Sequence, residues 1–183
     1  DARRELPGWD EPDLDETGWL PASGMEAPRV HLVAQRNEPV RVARQLSPVS
    51  VHRTDSGTHV YDLGQNIAGW VRLRLEAEPG TTITLRHAER LNPDGTLYTE
   101  NLRRARATDV IIVGPSGSIE WQPRFTFHGF QYIELAGLKE ALPVEQVTGC
   151  LVRSMTPQAG QFACGHQGIN RLWQNALWSQ WDN

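Results

Sequence analysis

The sequence predicts a mainly β fold: an antiparallel β-sandwich followed by one C-terminal helix. Three observations carry that expectation. Residues Gly69 to Glu76 alternate, with Val71, Leu73 and Leu75 on one face and Trp70, Arg72 and Arg74 on the other, which is the period of a half-buried strand. Further short alternating runs are separated by Pro/Gly turns, a pattern that favours a sandwich with a barrel as runner-up. Only near the end does the period change, where Ile169, Leu172, Trp173, Ala176 and Leu177 recur at three and four residues.

Taken in order, the chain opens on an irregular stretch. Pro7 through Trp19 carries Trp9 and Trp19 among acidic and turn-forming residues, with no strand or helix period. Two indoles are more apolar area than such a loop buries by itself, so they are expected to pack on a neighbour outside this sequence, or on the domain that follows. From Val30 the texture turns β, with alternation at Val40–Ala43 and Val49–His52. Glu78-Pro79-Gly80-Thr81 places Pro and Gly where a type II turn wants them. Alternation resumes from Thr81 to Leu91, with Ile83, Leu85 and His87 on one side, and Asn92-Pro93-Asp94-Gly95 reads as a second turn. Strands are expected over Thr108–Val113, Ser118–Gln122, Arg124–Leu135 and Val144–Val152. On the final helix Trp178 and Trp181 widen the apolar arc beyond ~100°, as in a helix enclosed by a larger helical assembly.

Composition narrows the function. The 183 residues suit one domain and are few for two, at ~150 residues each. Lys+Arg is 18 against Asp+Glu 22, a net charge of -4, and no basic run exceeds Arg103-Arg104, which argues against nucleic acid as a partner. No apolar stretch approaches the ~18 residues of a membrane span. The chain lacks an initiator Met and shows no signal peptide, and a fragment is expected, so a cytoplasmic and an exported location both stay open. Cys150 and Cys164 read as two ordinary thiols rather than a disulfide framework.

No catalytic constellation emerges. The six histidines are scattered without an HxH or HxxxH pair, and there is no Gly-x-Ser-x-Gly elbow and no phosphate-binding glycine loop, so no metal ligand and no cofactor is assigned. Glu89, Glu100 and Asp109 flank the connection from Asn92 to Ala107, but sequence spacing does not set two carboxylates face to face, and exposed strand-edge acids are commoner. His87 reads as a core or rim histidine, and His128 as a residue at a turn. The polar connection around Glu100, Asn101 and Arg103, beside the aromatic rings of Tyr98 and Trp70, is the candidate sugar-binding surface. The same residues also fit a solvated loop packed between domains.

Several blocks carry a resemblance. Asp62-Leu63-Gly64-Gln65-Asn66-Ile67-Ala68-Gly69-Trp70, Leu85-Arg86-His87-Ala88-Glu89, Tyr98-Thr99-Glu100-Asn101-Leu102-Arg103, Ala107-Thr108-Asp109 and Pro123 through Tyr132 occur in order. Together they resemble the bacterial α-L-rhamnosidases of glycoside hydrolase family 78. The resemblance implies the concanavalin-like, jelly-roll β-sandwich that precedes the catalytic domain, here residues 29–154. It implies that residues 1–28 are the tail of an N-terminal β-domain whose remainder is absent, and that 155–183 lead into the first helix of a missing (α/α)6 barrel. Gly165-His166 departs from the family's usual Ser-Asn helix start, and Trp181 stands where a basic residue is common. The family inverts the anomeric carbon with an acidic general acid and an acidic general base ~6.5–9.5 Å apart, both on the barrel. Neither position exists in this chain, so the expected function is a non-catalytic fragment of an enzyme that releases terminal α-L-rhamnose. A carbohydrate-binding module and a purely structural interdomain sandwich are the alternatives, with a rhamnosylated glycoside as the partner of the parent enzyme.

Overall fold

A computed structural model of the chain describes residues 1–6 and 8–182. Pro7, at the head of the Trp9–Trp19 stretch, and Asn183, at the end of the last predicted segment, lie outside the described residues. Among the described residues ten strands precede one α-helix: β1 Val40–Leu46, β2 Ser50–Arg53, β3 His59–Glu76, β4 Thr82–Ala88, β5 Arg90–Leu91, β6 Leu97–Tyr98, β7 Thr108–Ile112, β8 Ser118–Trp121, β9 His128–Ala136, β10 Val147–Ser154 and α1 Gln167–Trp181. Eight strands form one curled antiparallel sheet in the order β1-β10-β3-β9-β4-β7, with β2 and β8 also paired to β3. β5 and β6 make a separate small hairpin. The expectation of a mainly β, antiparallel fold with one C-terminal helix holds.

The alternation at Gly69 to Glu76 is the second half of β3, an 18-residue strand. Its first part, residues 59–62, runs between β2 and β9; Gly69 lies between β9 and β10; Leu73 lies between β10 and β8. One strand serves this succession of neighbours because its register against β9 shifts between Asp62 and Ile67, and a bulge bends and twists the strand that carries it. Gly64 supplies the left-handed backbone there, at φ 70°. Asp62 fastens the bend, its Oδ1 accepting from the Gly64 N–H at 2.6 Å and from Gln131 Nε2 at 2.9 Å.

Curling brings one face of the sheet round a common core. Tyr61, Leu63, Ile67, Val71, Leu73 and Leu75 of β3 are buried with Ile83 and Leu85 of β4, Phe130, Ile133 and Leu135 of β9, and Val147 and Leu151 of β10. Each fully buried aliphatic or Phe side chain contributes ~1.5–3 kcal/mol relative to exposure, so the period-two rows are the main source of stability. His87 continues the inward row of β4 and is buried, as its alternation with Ile83 and Leu85 predicts. The two turns also match: Thr81 N–H donates to Glu78 O at 3.0 Å with Gly80 at φ 85°, and Gly95 N–H donates to Asn92 O at 3.0 Å.

Four expectations are corrected. Val30 to Pro39 is not a strand, and pairing begins at Val40, where β10 supplies a partner. Arg124 to Phe127 is a protruding connection in which Phe125 has φ 61° and is fully exposed; alternation of aromatic residues alone does not create a ladder partner. His128 opens β9 rather than a turn. Val144–Gln146 is a 3-10 turn, and β10 starts at Val147. Both cysteines are free, Cys150 buried and Cys164 exposed.

Two measurements probe this core. A Cβ on Gly69 would overlap the carbonyl oxygen of Cys150 on the neighbouring strand, so Gly69→Ala is expected to destabilise by about 1–3 kcal/mol in urea unfolding, the scale of an overpacked core. Burial of Tyr61 pushes its phenol up to about 12 against the opposing hydrogen bond it donates to Leu142 O at 2.9 Å. The raised folded value means that stability is full below pH 10 and falls as the pH climbs towards 12, by about 3 kcal/mol if the unfolded phenol keeps its ordinary value. Tyr61→Phe is expected to cost about 1 kcal/mol at neutral pH and to flatten that alkaline loss in a pH series of unfolding curves.

Candidate functional site

The outward face of β3 carries the even-numbered residues, and Asn66 leads that row. Its Nδ2 donates to Glu89 Oε1 at 3.2 Å, while Asn101 Nδ2, from the 3-10 turn Glu100–Leu102, donates to Glu89 Oε2 at 3.4 Å. Glu89, in the one-residue gap between β4 and β5, thus has an amide on each carboxylate oxygen. Gly129 of β9 lies beneath it, since a Cβ there would come within 3.8 Å of Glu89 Oε1.

The helix closes the same patch. Asp182, the C-cap of α1, accepts the backbone N–H of Ala68 on β3 at 3.0 Å through its Oδ1. Burial pushes its carboxyl up, the bond from Ala68 opposes this, and the charge of Glu89 adds to the rise. Trp178 and Trp181 pack against the core beside it, 5.1 Å apart in a T-shaped pair. Arg44 of β1 lies 4.9 Å and Arg153 of β10 5.1 Å from the Trp181 ring centroid, within cation–π range. The two indoles that widen the helix's apolar arc are therefore its attachment to the sheet. The outer residues Ile169 and Leu172 remain exposed.

The sequence-predicted surface is only partly assembled. Asn101 joins the Glu89 cluster; Glu100 and Arg103 stand exposed on the same connection, with Arg103 at φ 55°. Tyr98 is half-buried in the β5–β6 hairpin opposite Arg90. Trp70 shares the outward face of β3 with Asn66, but its indole N–H donates to Gln122 at 3.2 Å. Of the acids weighed for catalysis, Glu89 is held by amides, Glu100 is exposed, and Asp109 Oδ2 lies 3.1 Å from His128 Nε2. Neither Asn66 nor Asp182 stands out in the sequence as a site residue. The Asp at a helix end is the one signal that could have found the second, and its partner is 114 residues away.

A second depression adjoins the opening segment. Trp9, Trp19, Trp121, Arg72 and Arg124 line a cleft of about 790 Å³, and Arg124 lies 5.2 Å from the centroid of the Trp9 ring. Trp9 and Trp19 thus border the sandwich while staying 41% and 50% exposed.

Residues 52–153 match the family described as the bacterial alpha-L-rhamnosidase concanavalin-like domain, and residues 1–44 match the alpha-L-rhamnosidase N-terminal domain. The chain belongs to the bacterial alpha-L-rhamnosidase family. An alpha-L-rhamnosidase from Streptomyces avermitilis is 43% identical over 185 residues, covering all of this chain and 18% of the relative. The crystal structure of the Streptomyces avermitilis alpha-L-rhamnosidase complexed with L-rhamnose aligns over the whole chain with a TM-score of 0.92. An alpha-L-rhamnosidase structure from Dictyoglumus thermophilum aligns equally well, at 37% identity and TM-score 0.92, with 21% of its own chain covered. The chain therefore spans about a fifth of the length of the rhamnosidases it matches.

The helix anchorage gives a direct test. Asp182→Ala leaves the Ala68 N–H without its partner and is expected to cost about 1 kcal/mol, whereas Asp182→Asn keeps an accepting oxygen and is expected to hold the helix. Because the folded carboxyl is raised, the folded state takes up a proton more readily than the unfolded one, so stability falls as the pH rises through the window above 3.8. Asp182→Asn should remove that slope in thermal melts followed by tryptophan fluorescence.

Proposed function

We propose that this chain is a non-catalytic part of a glycoside hydrolase that releases terminal α-L-rhamnose by inversion, with both catalytic carboxylates outside its 183 residues. The observation that carries the reading is the match of the entire chain to about a fifth of alpha-L-rhamnosidases from separate organisms. The settings of Glu89, held by two amides, and Asp109, held by His128, support it, because the acids of an inverting pair face an open cleft that admits a water. Within that reading, 1–28 is the tail of a preceding β-domain, 29–154 the sandwich, and 155–183 the lead into the catalytic domain.

The sandwich acts first as a support. Its helix is fastened to the sheet by Trp178, Trp181 and Asp182 while Ile169 and Leu172 stay outside, which suits an element gripped on one side and available on the other. The purified chain is expected to leave an aryl α-L-rhamnoside intact, and turnover at a rate comparable to a full-length rhamnosidase would overturn the reading. A sugar-binding role is favoured by one arrangement, Glu89 between the amides of Asn66 and Asn101, since oriented carboxylates and amides are the groups that hydrogen-bond sugar hydroxyls. Titration with L-rhamnose under tryptophan fluorescence separates the roles. A saturable shift lost in Glu89→Ala or Trp70→Ala indicates a module, and a flat titration leaves the support.

A further inference from the structure

Three side chains that the sequence keeps apart converge at the edge of the core. His87 ends the inward row of β4, Asp109 lies on β7 and His128 opens β9. Asp109 Oδ2 is 3.1 Å from His128 Nε2 and 4.0 Å from His87 Nε2. The two imidazoles stack with centroids 4.3 Å apart, and one ligand atom from each residue lies within 4.8 Å of the other two.

His87 carries the most information. Its Nδ1 lies 3.2 Å from the carbonyl oxygen of Ala107, which only accepts, so Nδ1 holds the hydrogen and Nε2 keeps its lone pair. Among the described residues that Nε2 has no hydrogen-bond partner, although the side chain is 0% exposed. A buried polar atom left unpaired costs ~1–3 kcal/mol, so its persistence needs a reason. An imidazole oriented by a backbone carbonyl through one nitrogen, with the other free, is how metal-ligating histidines are held.

We propose that His87 Nε2, His128 Nε2 and an oxygen of Asp109 form a site for a divalent transition-metal ion of the zinc or cobalt(II) type. Ligands ~2.0–2.1 Å from a tetrahedral centre stand roughly 3.3 Å apart, and the separations of 3.1 and 4.0 Å around Asp109 bracket that value. Two imidazoles and one carboxylate suit zinc or cobalt rather than calcium or magnesium, which take oxygen ligands. Water would fill the fourth position, since Asp109 and His128 keep 14% and 11% of their side chains exposed. The metal would take the place of the proton that joins His128 Nε2 to Asp109, which passes to Nδ1 of the same ring or to solvent. With ligands from the adjacent strands β9, β4 and β7, the ion would staple that part of the sheet.

The test uses the 183-residue chain carrying Cys164→Ser, because the exposed thiol beside His166 could capture metal adventitiously. After treatment with chelator, titration with Zn²⁺ is expected to saturate at one equivalent and raise the melting temperature, while Mg²⁺ and Ca²⁺ do neither. Asp109→Asn and His128→Gln should each weaken Zn²⁺ binding tenfold or more. Should those variants fail to fold, the Co²⁺ complex of the Cys164→Ser chain decides: the ring-proton resonances of His87 and His128 should broaden and those of His31, His52, His59 and His166 should not. Absence of saturable binding, binding unchanged in both folded variants, or broadening confined to the other histidines would each overturn the proposal.

Discussion

The bend in β3 is the constraint on which the rest of the molecule depends. An 18-residue strand would give a flat ladder with exposed edges if it stayed straight. Instead the shift between Asp62 and Ile67, fastened by the bonds from Gly64 and Gln131 to one carboxylate oxygen, turns its second half to new neighbours. β2, β9, β10 and β8 all reach their places by pairing with it. Because side chains alternate along the whole strand, the bend carries one apolar row around a curve, and the core forms inside that curve.

The same bend sets up the two polar clusters. Immediately after it, Asn66 faces outward to Glu89, and the backbone N–H of Ala68 is open to Asp182, because pairing with β10 begins only at Gly69. The helix is received at a gap in the ladder, where a backbone donor would otherwise lack a partner. On the inward side, β9 resumes at Phe130 and His128, which brings His128 over His87 and against Asp109. A structural irregularity thus places two clusters, one outside the sheet and one at the rim of its core.

Much of the fold is legible in short range. The rows Val71-Leu73-Leu75 and Ile83-Leu85-His87 announce their buried face, and the Pro/Gly turns fix where strands end, because both depend on residues next to one another. The misread segments share one cause: Val30 to Pro39, Arg124 to Phe127 and Val144 to Gln146 carry strand-like residues but have no ladder partner. For the candidate surface, Asn101 could be named from its polar loop. Trp70 reads as outward-facing from its alternation with Val71, yet its hydrogen bond to Gln122 depends on a residue 52 positions away.

By itself the sequence determined the fold class, the strand faces, the helix and its apolar stripe, and through its ordered blocks the kinship with rhamnosidases. These are properties of local period and of motifs, which survive without coordinates. Tertiary structure alone decided that Glu89 sits between Asn66 and Asn101, that Asp182 anchors the helix on β3, and that His87, Asp109 and His128 meet. Each of those meetings depends on strand order and on the register after the bulge. A shift of one residue turns a side chain to the opposite face of the sheet, and no pattern within a single strand records which register its neighbour adopts.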